Sequence, residues 1–458
     1  MLYERWRQIA KGSPERIALQ DLAHGQKWTF SELADIVEKS EPGNSEAIVF
    51  PQGNSGEFVI TVLRSWRSGH VVCPLEPGQV PPKLAGAPDA GIVHLKTTSA
   101  TTGTPRLVTF TARQLMADAD NIVATMGLRP DWPNLGVISL AHSYGFSNLV
   151  LALLLHGIPL ILAHGTPRSA DSAVRADSGS NQQMGGEGCP PSFLPALGVL
   201  PEALRSAAAS APAITLAAVP ALWQAWHEAK VIPSNVRLAI SAGAPLPLSL
   251  EKAIYITTGL KVHNFYGSSE CGGIAYDATT VPRNDDLCAG TPLRGVQVSV
   301  TDDGCLEVRG KAVAESYWPE PSHNLGEGCL VTADLAEIRD GQVYLLGRAS
   351  DQINVAGRKV LPQAIEHVLA LHPQVRDCLA FGVSSSNGQR GDTIVACVVT
   401  NETVSGEELR QFALTNLPAW QVPRKWWFVE SLSVNSRGKL SRAEWRKRFL
   451  ESGLSKLI

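Results

Sequence analysis

The chain has 458 residues, 44% hydrophobic and 18% charged, which excludes a disordered or fibrous protein and predicts at least two domains, since one ordinary core does not organise that length. Lys and Arg number 40 against 43 Asp and Glu, a formal net charge of −3, so no basic excess exists to neutralise phosphates and nucleic acid is excluded as the main partner.

The first residues, Met1-Leu2-Tyr3-Glu4-Arg5-Trp6-Arg7, are charged and lack the apolar run of a secretory signal, so no export is expected. Short apolar runs then alternate with amphipathic stretches, as at 47–50 before 57–67, a strand and helix alternation that predicts an α/β architecture. Residues 149–163 are the most apolar, but His156, Gly157 and Pro159 interrupt them, and the stretch is shorter than the roughly 20 residues of a spanning helix. A buried helix, a turn and a core strand are predicted there, with strands at 157–162 and 236–240. Residues 163–191 lapse into Ser, Asp, Gly, Gln and Pro and are expected to form an exposed, mobile loop. From 290 to 346, alternating patterns punctuated by turns such as Asp302-Asp303-Gly304 read as the hairpins of a β-rich subdomain. After Gly347-Arg348 a unit of about 110 residues begins, a normal size for a small domain. The 8 cysteines form no Cys-x-x-Cys pair and are expected to be reduced thiols of a cytosolic protein.

Chemistry concentrates in a few segments. Thr98-Ser99-Ala100-Thr101-Thr102-Gly103-Thr104-Pro105-Arg106 combines hydroxyls, small residues and a cation. Backbone N–H groups and hydroxyls of such a loop can donate to phosphate oxygens while a guanidinium offsets their charge. The same composition also fits a polar surface turn, and the Gly-Lys-Ser/Thr ending of nucleotide-kinase loops is missing. Asn264-Phe265-Tyr266-Gly267-Ser268-Ser269-Glu270 brings together an aromatic face, hydroxyls and a hard oxygen ligand. Leu140-Ala141-His142-Ser143-Tyr144-Gly145-Phe146, Ser241-Ala242-Gly243-Ala244-Pro245-Leu246, Val331-Thr332-Ala333-Asp334, Gly347-Arg348-Ala349-Ser350-Asp351 and Ser436-Arg437-Gly438-Lys439 complete the set. Taken in this order, and over nearly the whole chain, these segments resemble the adenylate-forming superfamily of acyl- and aryl-CoA synthetases, firefly luciferase and peptide synthetase adenylation domains.

That resemblance implies an α/β fold, with a large multi-subdomain N-terminal adenylation domain over 1–347 and a small mobile α+β C-terminal domain over 348–458. It implies that Thr98, Ser99, Thr101, Thr102 and Gly103 cradle phosphate, with Arg106 in place of the usual lysine. Gly243 and Ala244 would let the backbone approach adenine, Tyr266 with Gly267 would stack on it, and Ser269 would offer a hydroxyl to phosphate. Glu270 would be the metal ligand for the Mg²⁺ that accompanies ATP. His142 would line the carboxylate site, Asp334 would take the ribose hydroxyls, Arg348 would stand near ribose and phosphate with a hinge after it, and Gly357 would line a pantetheine tunnel. Lys439 would be the catalytic lysine, acting with Glu270, His142 and Arg106. Ala100, Ala333, Ser350 and Ala364 depart from the family pattern. The implied activity is that of a cytoplasmic acid–thiol ligase, using ATP, Mg²⁺ and coenzyme A to activate a fatty or aromatic carboxylic acid. No Asp stands where amino-acid-activating relatives hold the substrate ammonium, which argues against an amino acid. Transfer to a carrier protein's phosphopantetheine, a catalytically silent acyl- or nucleotide-binding homologue, and oxidative use of the adenylate remain as alternatives.

Overall fold

The computed structural model describes residues 1–40, 47–82, 84, 86–97, 106–163, 201–384, 391–433 and 440–453. The chain forms two compact units, Met1–Val298 with Val308–Leu330, and Ser299–Glu307 with Val331–Ile458.

In the first unit a run of parallel strands is ordered Ile17–Asp21, Leu160–Leu162, Asn134–Gly136, Ile214–Ala218, Val236–Ala242, Val262–Ser268. Gly272–Tyr276 and Cys288–Pro292 add to it antiparallel beyond Val262–Ser268. Helices cover both faces. Leu222, Trp223 and Trp226 of Pro220–Glu228 and Leu250 and Ile254 of Leu248–Thr258 pack with Leu216, Ala218 and Ala239. On the other face Ile122 and Met126 of Ala112–Met126 pack with Ala217, Leu238 and Ile240. Burial on both sides is why these strands read as continuous apolar runs, with every residue of Ile214–Ala218 buried. A second sheet is ordered Ser316–Trp318, Leu107–Thr111, Ile92–Thr97, Val71–Val72, Ile48–Val49.

The helix Ala112–Met126 buries Leu115, Ala119, Ile122 and Met126 at helical spacing, and Asp118 falls on the same stripe. It starts where the Gln114 side chain accepts from the Thr111 N–H and hydroxyl, and it ends at Gly127 in the left-handed region, φ 66°. The apolar stretch from 149 onward is a helix, a turn and a strand as expected, with one difference in each helical and strand part. The helix begins as a π-helix over Phe146–Leu151 before continuing as Ala152–His156. The strand starts at Leu160, because Gly157 is spent as the left-handed cap, φ 67°, and Pro159 has no N–H for a ladder. The loop expected at 163–191 lies outside the described residues from 164 onward. Cys73, Cys271, Cys288, Cys305, Cys329, Cys378 and Cys397 are free thiols. Among the described residues no helix is long and apolar enough to cross a membrane.

In the second unit Val375–Ser384 pairs antiparallel with Asp392–Thr400, which runs parallel to Lys425–Phe428. Ile365 and Leu369 of Pro362–Ala370 and Leu409 and Ala413 of Gly406–Asn416 cover one face. Trp445 and Phe449 of Arg442–Glu451 cover the other, against Leu379, Phe381 and Val395. The hairpin Ile353–Val355 with Arg358–Val360 turns through Ala356 and Gly357, at φ 51° and 86°. Two successive positive φ angles match the right-handed twist of a hairpin. Gly357 adopts this at no steric cost and Ala356 does not. Ala356→Gly is therefore expected to stabilise the second unit by about 1 kcal/mol, the low end of the penalty for a Cβ in that region. A rise in the urea midpoint at unchanged slope checks it.

Candidate active site

Val236–Ala242 and Val262–Ser268 are adjacent parallel strands in a register that sets Ala242 beside Phe265. The segments that follow, Gly243-Ala244 and Tyr266-Gly267, therefore emerge side by side at the carboxyl ends of parallel strands, where open α/β sheets bind ligands. Gly243 and Gly267 are exposed, and Ala244, Tyr266 and Ser269 are half-buried, so this edge is reachable. It is anchored from behind. Arg283 donates from Nη2 to Leu246 O at 2.7 Å, from Nη1 to Cys288 O at 2.6 Å and from Nε to Glu251 Oε2 at 2.8 Å. Glu251 also meets Lys261, which donates to Asp277 Oδ2 at 2.5 Å. All four ionisable groups are buried. Burial pushes the Asp277 carboxyl up, but the hydrogen bonds from Lys261 and Thr279 outweigh it and hold it below the usual carboxylate range.

The turn after Tyr266 carries Glu270. Its N–H donates to Ser268 Oγ at 3.2 Å, and its carbonyl accepts from Ala314 N at 2.8 Å. Its carboxylate accepts from the Tyr317 hydroxyl, Oε1 at 3.1 Å, and the Arg106 guanidinium lies 5.5 Å from the centroid of the same Tyr317 ring. Two residues picked from motifs far apart in the chain thus converge on one aromatic side chain. Burial, then the charge of Glu270 and its hydrogen bond, raise the Tyr317 phenol well above its ordinary range, so it stays a donor at neutral pH. His142 is half-buried and caps the short helix Ser143–Gly145, its carbonyl accepting from Phe146 N at 2.8 Å. The Tyr144 ring packs 4.9 Å from Phe265, next to Tyr266. Among the described residues no group of three or more His, Cys, Asp or Glu could hold a metal ion. A single carboxylate such as Glu270 suits Mg²⁺ arriving with phosphates, which uses one or two protein carboxylates and not a dedicated cage.

In the second unit the strand Cys329–Arg339 pairs with Gln342–Arg348 so that Asp334 and Arg348 are opposite each other, and Arg348 Nε donates to Asp334 Oδ1 at 2.9 Å. The Asp334 N–H donates to Thr332 Oγ1 at 3.1 Å, which fixes the backbone of the Thr-Ala-Asp segment. Gly357 is exposed at its hairpin tip, with its N–H donating to Asn354 Oδ1 at 2.9 Å. Arg442 donates to Asp351 Oδ2 at 3.2 Å and to Glu366 Oε2 at 2.5 Å. Thr98, Ser99, Thr101, Thr102, Gly103 and Lys439 lie outside the described residues.

Sequence reasoning missed Tyr317, Arg283, Lys96 and Asp118. Tyr317 reads only as part of an aromatic strand, and its partner Glu270 is distant in the chain. Asp118 alone left a visible mark, a carboxylate on an otherwise apolar helical stripe.

The AMP-binding enzyme family matches residues 87–318, and the C-terminal domain of AMP-binding enzymes matches residues 364–439. The probable 2-succinylbenzoate–CoA ligase of Mycobacterium tuberculosis is 28% identical over 79% of this chain and 85% of its own. The fatty acid–[acyl-carrier-protein] ligase ScoC of Streptomyces coeruleorubidus is 29% identical over 47% of this chain and 45% of its own. Among solved structures, ATP-bound MatB from Rhodopseudomonas palustris has the same fold, with a TM-score of 0.78 over 98% of this chain and 99% of its own at 20% identity.

With Asp334 taking the ribose hydroxyls, as the resemblance implies, Asp334→Asn should weaken ATP binding about tenfold and leave affinity for the acid unchanged, since it would remove charge-assisted bonds of about 1.5 kcal/mol. The ion pair itself is exposed on the Arg348 side, so thermal stability should move by less than about 1 kcal/mol. Calorimetric titration with each substrate and a melting curve check both parts.

Proposed function

The chain belongs to the AMP-binding enzyme family, and from that premise we propose that it is an AMP-forming ligase that activates a carboxylic acid and passes the acyl group to coenzyme A. The observation that carries this reading is the convergence of Glu270 and Arg106 on Tyr317, with Glu270 in the turn that follows Tyr266 at the carboxyl ends of the parallel strands. A carboxylate is a poor electrophile. Its oxygen attacks the α-phosphorus of ATP, the bond to the pyrophosphate oxygen breaks, and the resulting acyl-adenylate is then attacked by a thiol, with AMP leaving. Two anions must meet in the first step, and cations placed in advance lower that barrier. Mg²⁺ bound at Glu270 would screen the phosphates and stabilise charge developing on them. Tyr317 holds the Glu270 carboxylate through its hydroxyl, and Arg106 adds a cation over its ring. Tyr266 offers a face to adenine, Gly243 and Ala244 leave the backbone open to it, and Asp334 accepts from the ribose hydroxyls with Arg348 beside it. His142 lines the carboxylate site. Thr98, Ser99, Thr101, Thr102 and Gly103 would supply hydroxyls and backbone N–H groups to phosphate, and Ser269 a further hydroxyl.

We place the functional boundary at Gly347 and Arg348, with residues 1–347 holding ATP and acid and 348–458 carrying Lys439. Lys439 bridges carboxylate and α-phosphate in the first step, and the Gly357 turn takes its place to guide the thiol in the second. A substrate of aryl or fatty type is supported by the named acids of the relatives. ScoC favours a second reading, in which the acceptor is the phosphopantetheine of a carrier protein. Competition between CoA and a holo carrier for one preformed adenylate separates the two acceptors, and pyrophosphate release across a panel of acids identifies the substrate. Silence with every acid would sink the proposal.

Lys439→Ala should slow adenylation by a factor of about 10² to 10³, the cost of a lost electrostatic donor at a reacting centre. Given synthetic acyl-adenylate and CoA, the same variant should form thioester at nearly the parental rate. Measuring the two half-reactions separately distinguishes this from a solvated surface lysine, which changes neither, and from misfolding, which abolishes both.

A further inference from the structure

Beneath the Glu270 turn lies a charged pair that the proposed reaction does not use. Lys96, on the strand Ile92–Thr97, is 4% exposed, and Asp118, on the helix Ala112–Met126, is 2% exposed. Their charged atoms are 3.9 Å apart, Lys96 Nζ donates to Ser147 Oγ at 3.4 Å, and Ser147 donates in turn to Asp118 Oδ2 at 2.5 Å. The ammonium also sits 4.5 Å from the centroid of Phe110. Asp118 Oδ1 accepts from the N–H of Gly273 at 3.2 Å. As a carboxylate it is acceptor-only, matching the hydroxyl, the amide and the ammonium around it. Gly272 has φ 69°, and a Cβ there would overlap the Asp118 carboxylate, so this close approach is built into the chain.

The surroundings leave the pair few other partners. Cys271 is buried with its thiol pushed up to about 12 by that burial, and it stays uncharged. His94, on the same strand as Lys96, is fully buried between Phe110 and Phe146, and burial followed by the charge of Lys96 keeps its imidazole neutral. Burial also lowers the Lys96 ammonium, an effect that the carboxylates of Asp118 and Glu270 oppose. A buried ion pair is a poor source of net stability compared with well-packed apolar groups. Its retention here calls for another role, and its geometry supplies one.

We propose that Asp118 and Lys96 are positioning residues for Glu270. The carboxylate of Asp118 holds the Cys271–Gly273 turn by the Gly273 amide and so sets where the Glu270 carboxylate stands, while Lys96 and Ser147 hold Asp118. Lys96 is also the next-to-last residue of the strand that leads into the segment 98–106, and Leu107, the residue after that segment, pairs with Thr97. One ion pair thereby links the strand before the expected phosphate loop to the turn that bears the metal carboxylate. The link to metal rests on the adenylation reading, whereas the holding of the turn does not.

Two double variants test this. Lys96→Met with Asp118→Leu removes both charges and the acceptor for Gly273, leaving packed apolar side chains. Lys96→Met with Asp118→Asn removes both charges and keeps an acceptor oxygen at that place. Both should fold, since no charge is left buried alone; the leucine variant should melt lower than the asparagine one, because the buried Gly273 N–H and Ser147 hydroxyl lose their acceptor. The leucine variant should speed hydrogen exchange of the peptide 268–276 by about tenfold and weaken Mn²⁺ binding in the presence of a non-hydrolysable ATP analogue by about 10- to 100-fold, the usual cost of losing a partner that orients a metal ligand. The asparagine variant should restore both to within about threefold of the parent. Parental exchange at 268–276 in a folded leucine variant would overturn the proposal, as would an asparagine variant that behaves like the leucine one. If exchange responds as expected but the parent itself binds no Mn²⁺ with the nucleotide, the positioning of the turn stands and the adenylation reading falls.

Discussion

Glu251 is fully buried and still carries two cationic partners, Lys261 and Arg283, with Asp277 completing the group on the far side of Lys261. This arrangement fixes more than its own four side chains. Glu251 belongs to the helix Leu248–Thr258, Lys261 directly precedes the strand Val262–Ser268, Asp277 directly follows the strand Gly272–Tyr276, and Arg283 reaches the carbonyl of Leu246. Each of these elements either leads into or out of the edge where Gly243, Tyr266 and Glu270 stand. Moving any one of them would leave a buried charge without its partner, at a cost of about 3–5 kcal/mol. Apolar packing alone tolerates small slips, whereas four interlocked charges do not, so the edge is held in one register.

The second unit solves a related problem with charges nearer the surface. Arg442 stands three positions after Lys439 and is gripped by Asp351 and Glu366, while its Nε donates to Ala380 O at 3.3 Å. Burial raises the Glu366 carboxyl above its ordinary range, against which Arg442 pulls it down. The start of the Arg442–Glu451 helix is thereby fixed to the residue beside Ser350 and to the helix Pro362–Ala370. In the mechanism proposed above, in which Lys439 reaches and leaves a reaction centre, an anchored helix beginning three positions later would help to bring it to the same place each time.

How much of this was legible in the sequence depends on how local the signal is. The apolar runs read at 157–162 and 236–240, which form the strands Leu160–Leu162 and Val236–Ala242, the helix and turn before the first of them, and the Tyr266–Glu270 segment each announce themselves within a few residues, because period and turn chemistry are short-range properties. The site's supports do not. Tyr317 meets Glu270 across 47 positions, and Asp118 meets Gly273 across 155. Such pairs arise from strand order, which a single sequence does not encode in any one window. Lys96 is flanked by Leu95 and Thr97 and looks like an ordinary outward lysine of a half-buried strand, until Leu107–Thr111 and the helix after it close over it. The family resemblance supplied roles for residues that face the ligand and was silent about those standing behind them.

The π-helix Phe146–Leu151 has a consequence of a different kind. It follows directly on His142 and the Ser143–Gly145 turn and carries Ser147 into contact with Asp118 and Lys96. A π-turn holds one more residue than an α-turn, and such single turns are frequent at functional sites. Deleting one residue within 146–151 would let the segment close as an ordinary α-helix with both flanks still in register, because the wider turn is what absorbs the extra residue. The hydrophobic content of the segment would hardly change, yet the widened turn that carries Ser147 onto Asp118 and Lys96 would be lost. The extra residue is thus what holds Ser147 against the buried pair, and the same helix one residue shorter would need a different donor for Asp118.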